Sequence, residues 1–133
     1  MRYLLVAALA AAGLVWLAWL RQRYLAVIVE GVSMVPTLRP GQRLLARRAA
    51  GVTGDIVVVR NRDRLMVKRL AAREGERLPA VLGGGIVPAG RIAVLGDNPS
   101  RSADSRQFGL LPASAVVAVV RSVPSQTSQP KGS

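Results

Sequence analysis

Histidine and cysteine are both absent from the 133 residues of this chain, and acidic residues number only seven. Without cysteine there can be no disulfide and no thiolate metal site, and with so few ligating side chains a transition-metal site is not expected. The usual base that activates a serine nucleophile is missing as well. Any catalysis must therefore come from hydroxyl groups, amines and the backbone, and we predict neither a metal nor a cofactor.

Aromatic residues are also scarce, and four of the five lie in or beside the apolar N-terminus: Tyr3, Trp16, Trp19 and Tyr24, leaving Phe108 alone in the body of the chain. The net charge of +12 would attract either anionic lipid headgroups or nucleic acid. Because platforms for base stacking are missing, we expect membrane lipid as a partner and no nucleic acid. The alternative is an arginine excess that reflects coding bias and a solvated basic face.

One long apolar segment is present, running without a charged residue over the 18 positions from Tyr3 to Leu20. As a helix it would be about 27 Å long, which is enough to cross a bilayer. Arg2, Arg21 and Arg23 flank it on both sides, and no small-x-small site for cleavage follows it. The sequence therefore predicts a retained N-terminal membrane anchor over residues 1–23, rather than a cleaved signal peptide.

After the anchor, short β-branched runs alternate with glycine, proline and Asn/Asp turns, which is typical of strands. We predict one mostly β domain over residues 24–122, a helical turn at 112–115 and a disordered tail at 123–133. The segment 60–64 predicts a hairpin connection that places the strand at 55–59 beside the strand of Lys68. The predicted strands are Leu25–Val29, Arg43–Arg47, Ile56–Arg60, Leu65–Leu70, Arg91–Leu95 and Val116–Val120.

Two residues suggest the chemistry. Of the 19 basic residues only two are lysines, and Lys68 is the one outside the polar tail. Arginine cannot act as a base near neutral pH, whereas a neutral lysine can activate a serine such as Ser33. An unperturbed lysine pKa of about 10.4 leaves roughly one molecule in 2,500 neutral at pH 7, a penalty on the order of 4.6 kcal/mol. On a strand Lys68 shares a face with Met66 and Leu70, and burial there would lower its pKa.

Four sequence blocks, in order, resemble those of type I signal peptidases, the membrane-anchored serine proteases that remove signal peptides. The nucleophile block is Gly31–Leu38, and Gly54–Val58 is similar to the strand that follows it. Met66–Arg69 resembles the block of the general base, and Gly96–Arg106, with Phe108-Gly109 after it, the last block. The resemblance covers most of residues 29–110 and implies a single compact β domain of the signal peptidase type.

This resemblance also implies roles for individual residues. Ser33 would attack the scissile carbonyl, and its backbone N–H would help to hold the oxyanion. Lys68 would take the serine proton and later pass one to the leaving amine. Ser102 would orient the lysine through a hydrogen bond.

The same resemblance implies two pairs of opposite charges that support the site. Arg69 would pair with Asp97, and Asp104 with Arg106, bracing the loop of Ser102 against the strand of the lysine. Two of only seven carboxylates fall in this loop, which favours the brace over solvated turn residues.

The chain departs from the family pattern in two places. Some members carry a serine or threonine two residues before the nucleophile, whose hydroxyl supplements the oxyanion hole, but here that residue is Gly31. The hole must then depend more on backbone donors. The segment 74–90 is short where larger members insert an extra β region, so we expect a minimal catalytic core.

For the substrate, the resemblance implies a preprotein or propeptide with small side chains one and three residues before the cut. It would lie extended beside a strand edge near residues 29–33. The candidates for the pocket wall are Val29, Gly31, Met34 and Pro36. The family resemblance implies an extracytoplasmic domain, whereas the basic residues after the anchor favour a cytoplasmic one.

Three alternatives stay open. A specialised maturation protease would keep the dyad but remove the propeptide of one dedicated partner. A self-cleaving repressor shares a Gly-x-Ser-Met block and a Val-Lys-Arg strand, but Pro36-Thr37, the last block and the anchor speak against it. A membrane-tethered basic module that only binds acidic lipid or nucleic acid would leave the four ordered blocks unexplained.

Overall fold

One antiparallel sheet of seven strands makes up most of the structure, which is a computed structural model that describes residues 1–122. A long apolar helix precedes the sheet, so the predicted mostly β fold class is confirmed. The predicted disordered tail, 123–133, lies outside the described residues. The elements are α1 (Arg2–Arg23), β1 (Tyr24–Ile28), β2 (Arg43–Arg47), β3 (Ile56–Asn61), β4 (Arg64–Arg73), β5 (Arg91–Leu95), α2 (Ser105–Phe108), β6 (Leu111–Pro112) and β7 (Val116–Ser122), with short 3-10 helices at Ala80–Leu82, Pro99–Arg101 and Ala113–Ala115.

The strands lie in the order β1-β2-β7-β3-β4-β5-β6, and each neighbouring pair is antiparallel. β3 and β4 form the predicted hairpin, in which Val57 pairs with Lys68 and Asn61 with Arg64. Arg62 takes a positive φ of 57° in the two-residue turn between them. The hairpin places the strand of Lys68 next to the centre of the sheet.

The predicted strands are all present, and β2 and β5 have the predicted bounds. β4 continues beyond its predicted end at Leu70 as far as Arg73. The extension is stabilised because Ala72 is buried in a cluster with Val87 and Ala93. The short elements β6 and α2 are not among the sequence predictions, while the helical turn predicted at 112–115 is the 3-10 helix Ala113–Ala115.

Both faces of the sheet carry buried side chains. Val57 and Val59 of β3 pack in one cluster with Leu70 and Val94. Val58, between them, faces the other side and packs with Ala46 of β2. Since both faces of β3 are covered, its sequence is a continuous apolar run rather than an alternating one.

The helix α1 has no buried residue and is long and apolar enough to cross a membrane. At its C-terminal end the Arg23 guanidinium lies 4.7 Å from the centroid of a Trp19 ring. β1 begins at Tyr24, immediately after the helix. A bilayer around α1 would therefore have the first strand at its surface.

Candidate functional site

A cleft of about 720 Å³ separates β1 and the following residues, up to Ser33, from the first half of β4, up to Lys68. Three strands lie between β1 and β4 in the sheet order, so the sheet must curl for both to line one cleft. β1 is an edge strand, and β4 pairs with β5 only from Arg69 onward. Among residues 1–122, the cleft is thus bounded by two stretches of strand edge that have no neighbouring strand.

Ser33 lies half-buried in a turn that follows β1 and lines the cleft. Gly31, two residues earlier, has a φ of 72°, a conformation that residues with side chains rarely adopt. The residue that lacks the supplementary hydroxyl is therefore also one whose backbone favours glycine. Behind the turn, Met34 and Leu38 are buried and joined by a backbone hydrogen bond of 2.8 Å from the Leu38 N–H to the Met34 carbonyl.

The four predicted pocket residues do not all face the cleft. Gly31 lines it, but Val29 and Met34 are buried in a core cluster with Leu38, and Pro36 is exposed. The two buried side chains pack behind the turn of Ser33. The cleft wall itself is formed by residues of β1 and β4.

Lys68 lines the same cleft and is only 4% exposed. Its Nζ donates a 3.1 Å hydrogen bond to Oγ of Ser102, as the family resemblance implies. Burial lowers the pKa of Lys68, and although the carboxylate of Asp104 raises it, the cations of Arg106 and Arg64 lower it further. The net effect favours the neutral amine, the form in which a lysine can accept a proton.

Asp104 fixes the orientation of Ser102. Its fully buried carboxylate accepts hydrogen bonds from the Ser102 hydroxyl at 2.8 Å and from the Gly96 N–H at 2.8 Å. Arg106 donates to it through Nε at 2.9 Å and Nη2 at 2.7 Å. Burial alone would raise the pKa of Asp104, but the hydrogen bonds from Arg106 and Gly96 bring it far below its usual range. Because the Ser102 proton points to this carboxylate, the Ser102 oxygen is available to accept from Lys68.

Gly96 lets the turn of Ser33 and the Ser102 side chain approach each other. A Cβ at this position would overlap the Ser102 hydroxyl and lie 2.7 Å from the Ser33 carbonyl oxygen. Only a residue without a side chain fits between these two groups. Gly96 thus marks where the turn of Ser33 meets the last sequence block.

Asp97 connects three segments of the chain. Arg69 of β4 holds it in a fork, with Nε 2.9 Å and Nη2 2.7 Å from its two oxygens, and also donates to the Gly54 carbonyl at 2.8 Å. The Thr37 hydroxyl, from the nucleophile block, donates to the same carboxylate at 2.6 Å. The hydrogen bonds from Arg69 lower the pKa of Asp97 despite its partial burial, and the one from Thr37 lowers it further. Both charge pairs implied by the resemblance are present.

Two residues of the site are missing from the sequence predictions. Thr37 is one, and Asn98 is the other: its side chain donates to the Val32 carbonyl at 3.0 Å and its N–H to the Ser33 carbonyl at 2.8 Å. Both lie inside the sequence blocks that resemble signal peptidases, and this position is the signal that could have identified them. Within residues 1–122 no three acidic side chains are placed to hold a metal ion.

Comparison with known proteins gives two family matches and two relatives. The model described as signal peptidase, peptidase S26, matches residues 74–124. The mitochondrial ATP-independent inner membrane protease subunit 1b of Arabidopsis thaliana is 37% identical over 99 residues, 62% of this chain and 59% of the relative. Subunit 1a is 39% identical over 106 residues, 66% of this chain and 62% of the relative. Together these matches support a member of the type I signal peptidase family.

A second model, described as peptidase S24-like, matches residues 15–78 of the chain. That stretch contains Ser33 and Lys68, while the first match contains Ser102 and Asp104. The two halves of the site therefore fall in two different matches. The chain spans about three fifths of the length of the curated relatives it matches.

Proposed function

We propose that this chain is a membrane-anchored serine endopeptidase of the signal peptidase type with a Ser33–Lys68 dyad. The observation that carries the proposal is a buried lysine, with a lowered pKa, that lines the same cleft as the serine. Ser102, held by Asp104, accepts a hydrogen bond from the lysine and orients it. The matches to peptidase families support hydrolysis of a peptide bond.

In the proposed reaction Ser33 Oγ forms a bond to the scissile carbonyl carbon while its proton passes to the neutral Lys68. The negative charge moves to the carbonyl oxygen, which the Ser33 N–H stabilises. Collapse of this intermediate breaks the C–N bond, and Lys68 returns the proton to the leaving amine. A water then attacks the acyl carbon while Lys68 takes its proton, and collapse of the second intermediate breaks the bond from the acyl carbon to Ser33 Oγ. Lys68 gives the proton to that oxygen, which releases the acid and restores Ser33.

The shape of the cleft supports an extended peptide as the substrate. A strand entering it could form main-chain hydrogen bonds with the free edge of β1, the unpaired first half of β4, or both. The family resemblance supplies the preference for small side chains before the cut. We therefore propose exported or membrane-inserted preproteins as the substrate class, in line with the membrane protease named in both relatives.

For its location, we propose a single-pass membrane protein anchored by α1, with the sheet on the extracytoplasmic side. The exposed apolar helix supports the anchor, and the family resemblance supports the orientation. A topology reporter fused after Ser133 tests it, and a reporter on the cytoplasmic side would instead favour a maturation protease with a dedicated partner.

The first prediction concerns the dyad itself. The full chain in detergent micelles should cleave a preprotein that carries a signal peptide, and Ser33→Ala and Lys68→Ala should each reduce the rate by on the order of 10³-fold or more. Ser114→Ala, at an exposed serine far along the chain, is the matched control and should keep the wild-type rate. Cleavage retained by either dyad variant would rule out the mechanism.

A further inference from the structure

The two carbonyl groups on either side of the Ser33 Cα are both held by one residue, Asn98. Its side-chain Nδ2 donates to the Val32 carbonyl at 3.0 Å, and its backbone N–H donates to the Ser33 carbonyl at 2.8 Å. We propose that Asn98 is a positioning residue that aims the Ser33 N–H at the developing oxyanion. This inference rests on the proposed function and assigns part of its oxyanion hole.

The geometry of the peptide unit connects the contact to the chemistry. The Val32 carbonyl and the Ser33 N–H belong to one planar unit, in which they point in opposite directions when the bond is trans. A donor that fixes the direction of the carbonyl therefore fixes the direction of the N–H. Asn98 pulls the Val32 oxygen toward the last sequence block, and this turns the Ser33 N–H to the other side of the same peptide plane.

The second hydrogen bond fixes the other half of the nucleophile. With the peptide planes before and after Ser33 both held, the φ and ψ angles of Ser33 are set, and with them the direction of its Cβ. The Val32 carbonyl keeps one other partner, the Val35 N–H at 3.1 Å. Loss of the Asn98 side chain would leave this turn hydrogen bond alone to hold the first plane.

Asn98 is itself held in place. It directly follows Asp97, whose carboxylate is fixed by the Arg69 fork. Its carbonyl accepts from the Arg101 N–H at 3.0 Å, and its Oδ1 accepts a longer 3.4 Å hydrogen bond from Ser100. A support with its own fixed partners can hold the turn in one orientation.

The orientation matters more in this chain because Gly31 offers no side-chain donor to the oxyanion. A single donor in an oxyanion hole contributes about 10²- to 10³-fold to turnover. A donor that is present but misdirected would lose part of that contribution. The substrate, which binds to strand edges, would be held as before.

The test compares wild type, Asn98→Ala and Asn98→Asp as full chains in micelles. Asp has nearly the size of Asn but no donor, so both variants remove the hydrogen bond to Val32. We expect kcat to fall about 10- to 100-fold while KM changes less than about threefold. A peptide aldehyde, which forms an oxyanion with Ser33, should bind more weakly by a similar factor, whereas the matched peptide alcohol should bind equally well to all three proteins.

A residue that only stabilised the fold would lower the melting temperature without changing the ratio of aldehyde to alcohol affinity. Wild-type kcat and an unchanged ratio in a folded variant would overturn the proposal, and Asn98→Asp decides the matter if Asn98→Ala does not fold. Ser33→Ala in the same assay distinguishes a failure of the positioning role of Asn98 from a failure of the proposed dyad. An inactive Ser33→Ala beside a fully active Asn98 variant would refute the positioning role alone, whereas an active Ser33→Ala would refute the dyad.

Discussion

The surroundings of Lys68 determine both its protonation and how much its burial lowers the stability of the folded protein. Its pKa is lowered mainly by burial, so between the folded-state pKa and about 10.4 the unfolded chain binds more protons than the folded one. Stability must therefore rise with pH through this window. At pH values below this window, burial of the charged lysine lowers the free energy of unfolding by its full amount. Above about pH 10.4 that loss disappears.

We accordingly predict that Lys68→Met, which the proposed mechanism expects to be inactive, melts at a higher temperature than wild type at pH 7. The gain should shrink as the pH approaches about 10.4, because the wild-type lysine is then neutral in both states. Thermal unfolding in the same detergent over a pH series measures it. Arg60→Met, at an exposed position of β3, is the control and should show no such trend. A Lys68→Met variant less stable than wild type at pH 7 would contradict the account.

At the scale of elements, the candidate site depends on a link between the turn of Ser33, β4 and the loop after β5. Asp97 provides it, since it accepts hydrogen bonds from both Thr37 and Arg69. The ion pair is partly exposed, with side-chain exposures of 35% for Arg69 and 18% for Asp97, so its contribution to stability is moderate. Its main effect is on where the turn of Ser33 lies relative to β4.

Thr37→Val tests this link, because it removes the hydroxyl and keeps the shape. We expect a loss of about 1 kcal/mol in the free energy of unfolding, the usual value for one hydrogen bond, and a reduction of kcat by several-fold. Thr37→Ser, which keeps the hydroxyl, should restore both. Denaturant unfolding and the preprotein assay measure them, and identical behaviour of the valine and serine variants would show that the hydrogen bond has no role.

The elements also show what the sequence can and cannot predict. β2 and β5 begin where predicted because proline and glycine precede both strands, and Gly96 ends β5. α2 was predictable in principle, since Asp104 and Gln107 form a capping box at its start, a pattern that can be read from sequence. The roles of Thr37 and Asn98 were not, because their partners are 60 and 66 positions away and only the fold brings them together.

At the scale of the whole molecule, the outer face of β1 and β2 continues directly from α1. Strand alternation places Tyr24 and Ile28 of β1 on this face with Arg43, Leu45 and Arg47 of β2. Ile28 is 60% exposed and Leu45 42%, so apolar side chains lie between arginines. With α1 in a bilayer, this β1–β2 face would lie beside the lipid headgroups, where each arginine contributes about 1 kcal/mol toward binding anionic lipid.

The absence of cysteine makes this contact measurable, because a single introduced thiol can be labelled without interference. A polarity-sensitive dye on Leu45→Cys, in the full chain reconstituted into nanodiscs, should report a less polar environment with anionic lipid than with neutral lipid. The difference should disappear in high salt and with Arg43→Ser and Arg47→Ser combined, since both remove the attraction. The same dye on Val81→Cys, 58% exposed in the loop between β4 and β5, is the reference and should respond to neither change. Equal responses at the two positions, or none at Leu45→Cys, would mean that the β1–β2 face does not contact lipid and that the excess of arginine is a solvated surface.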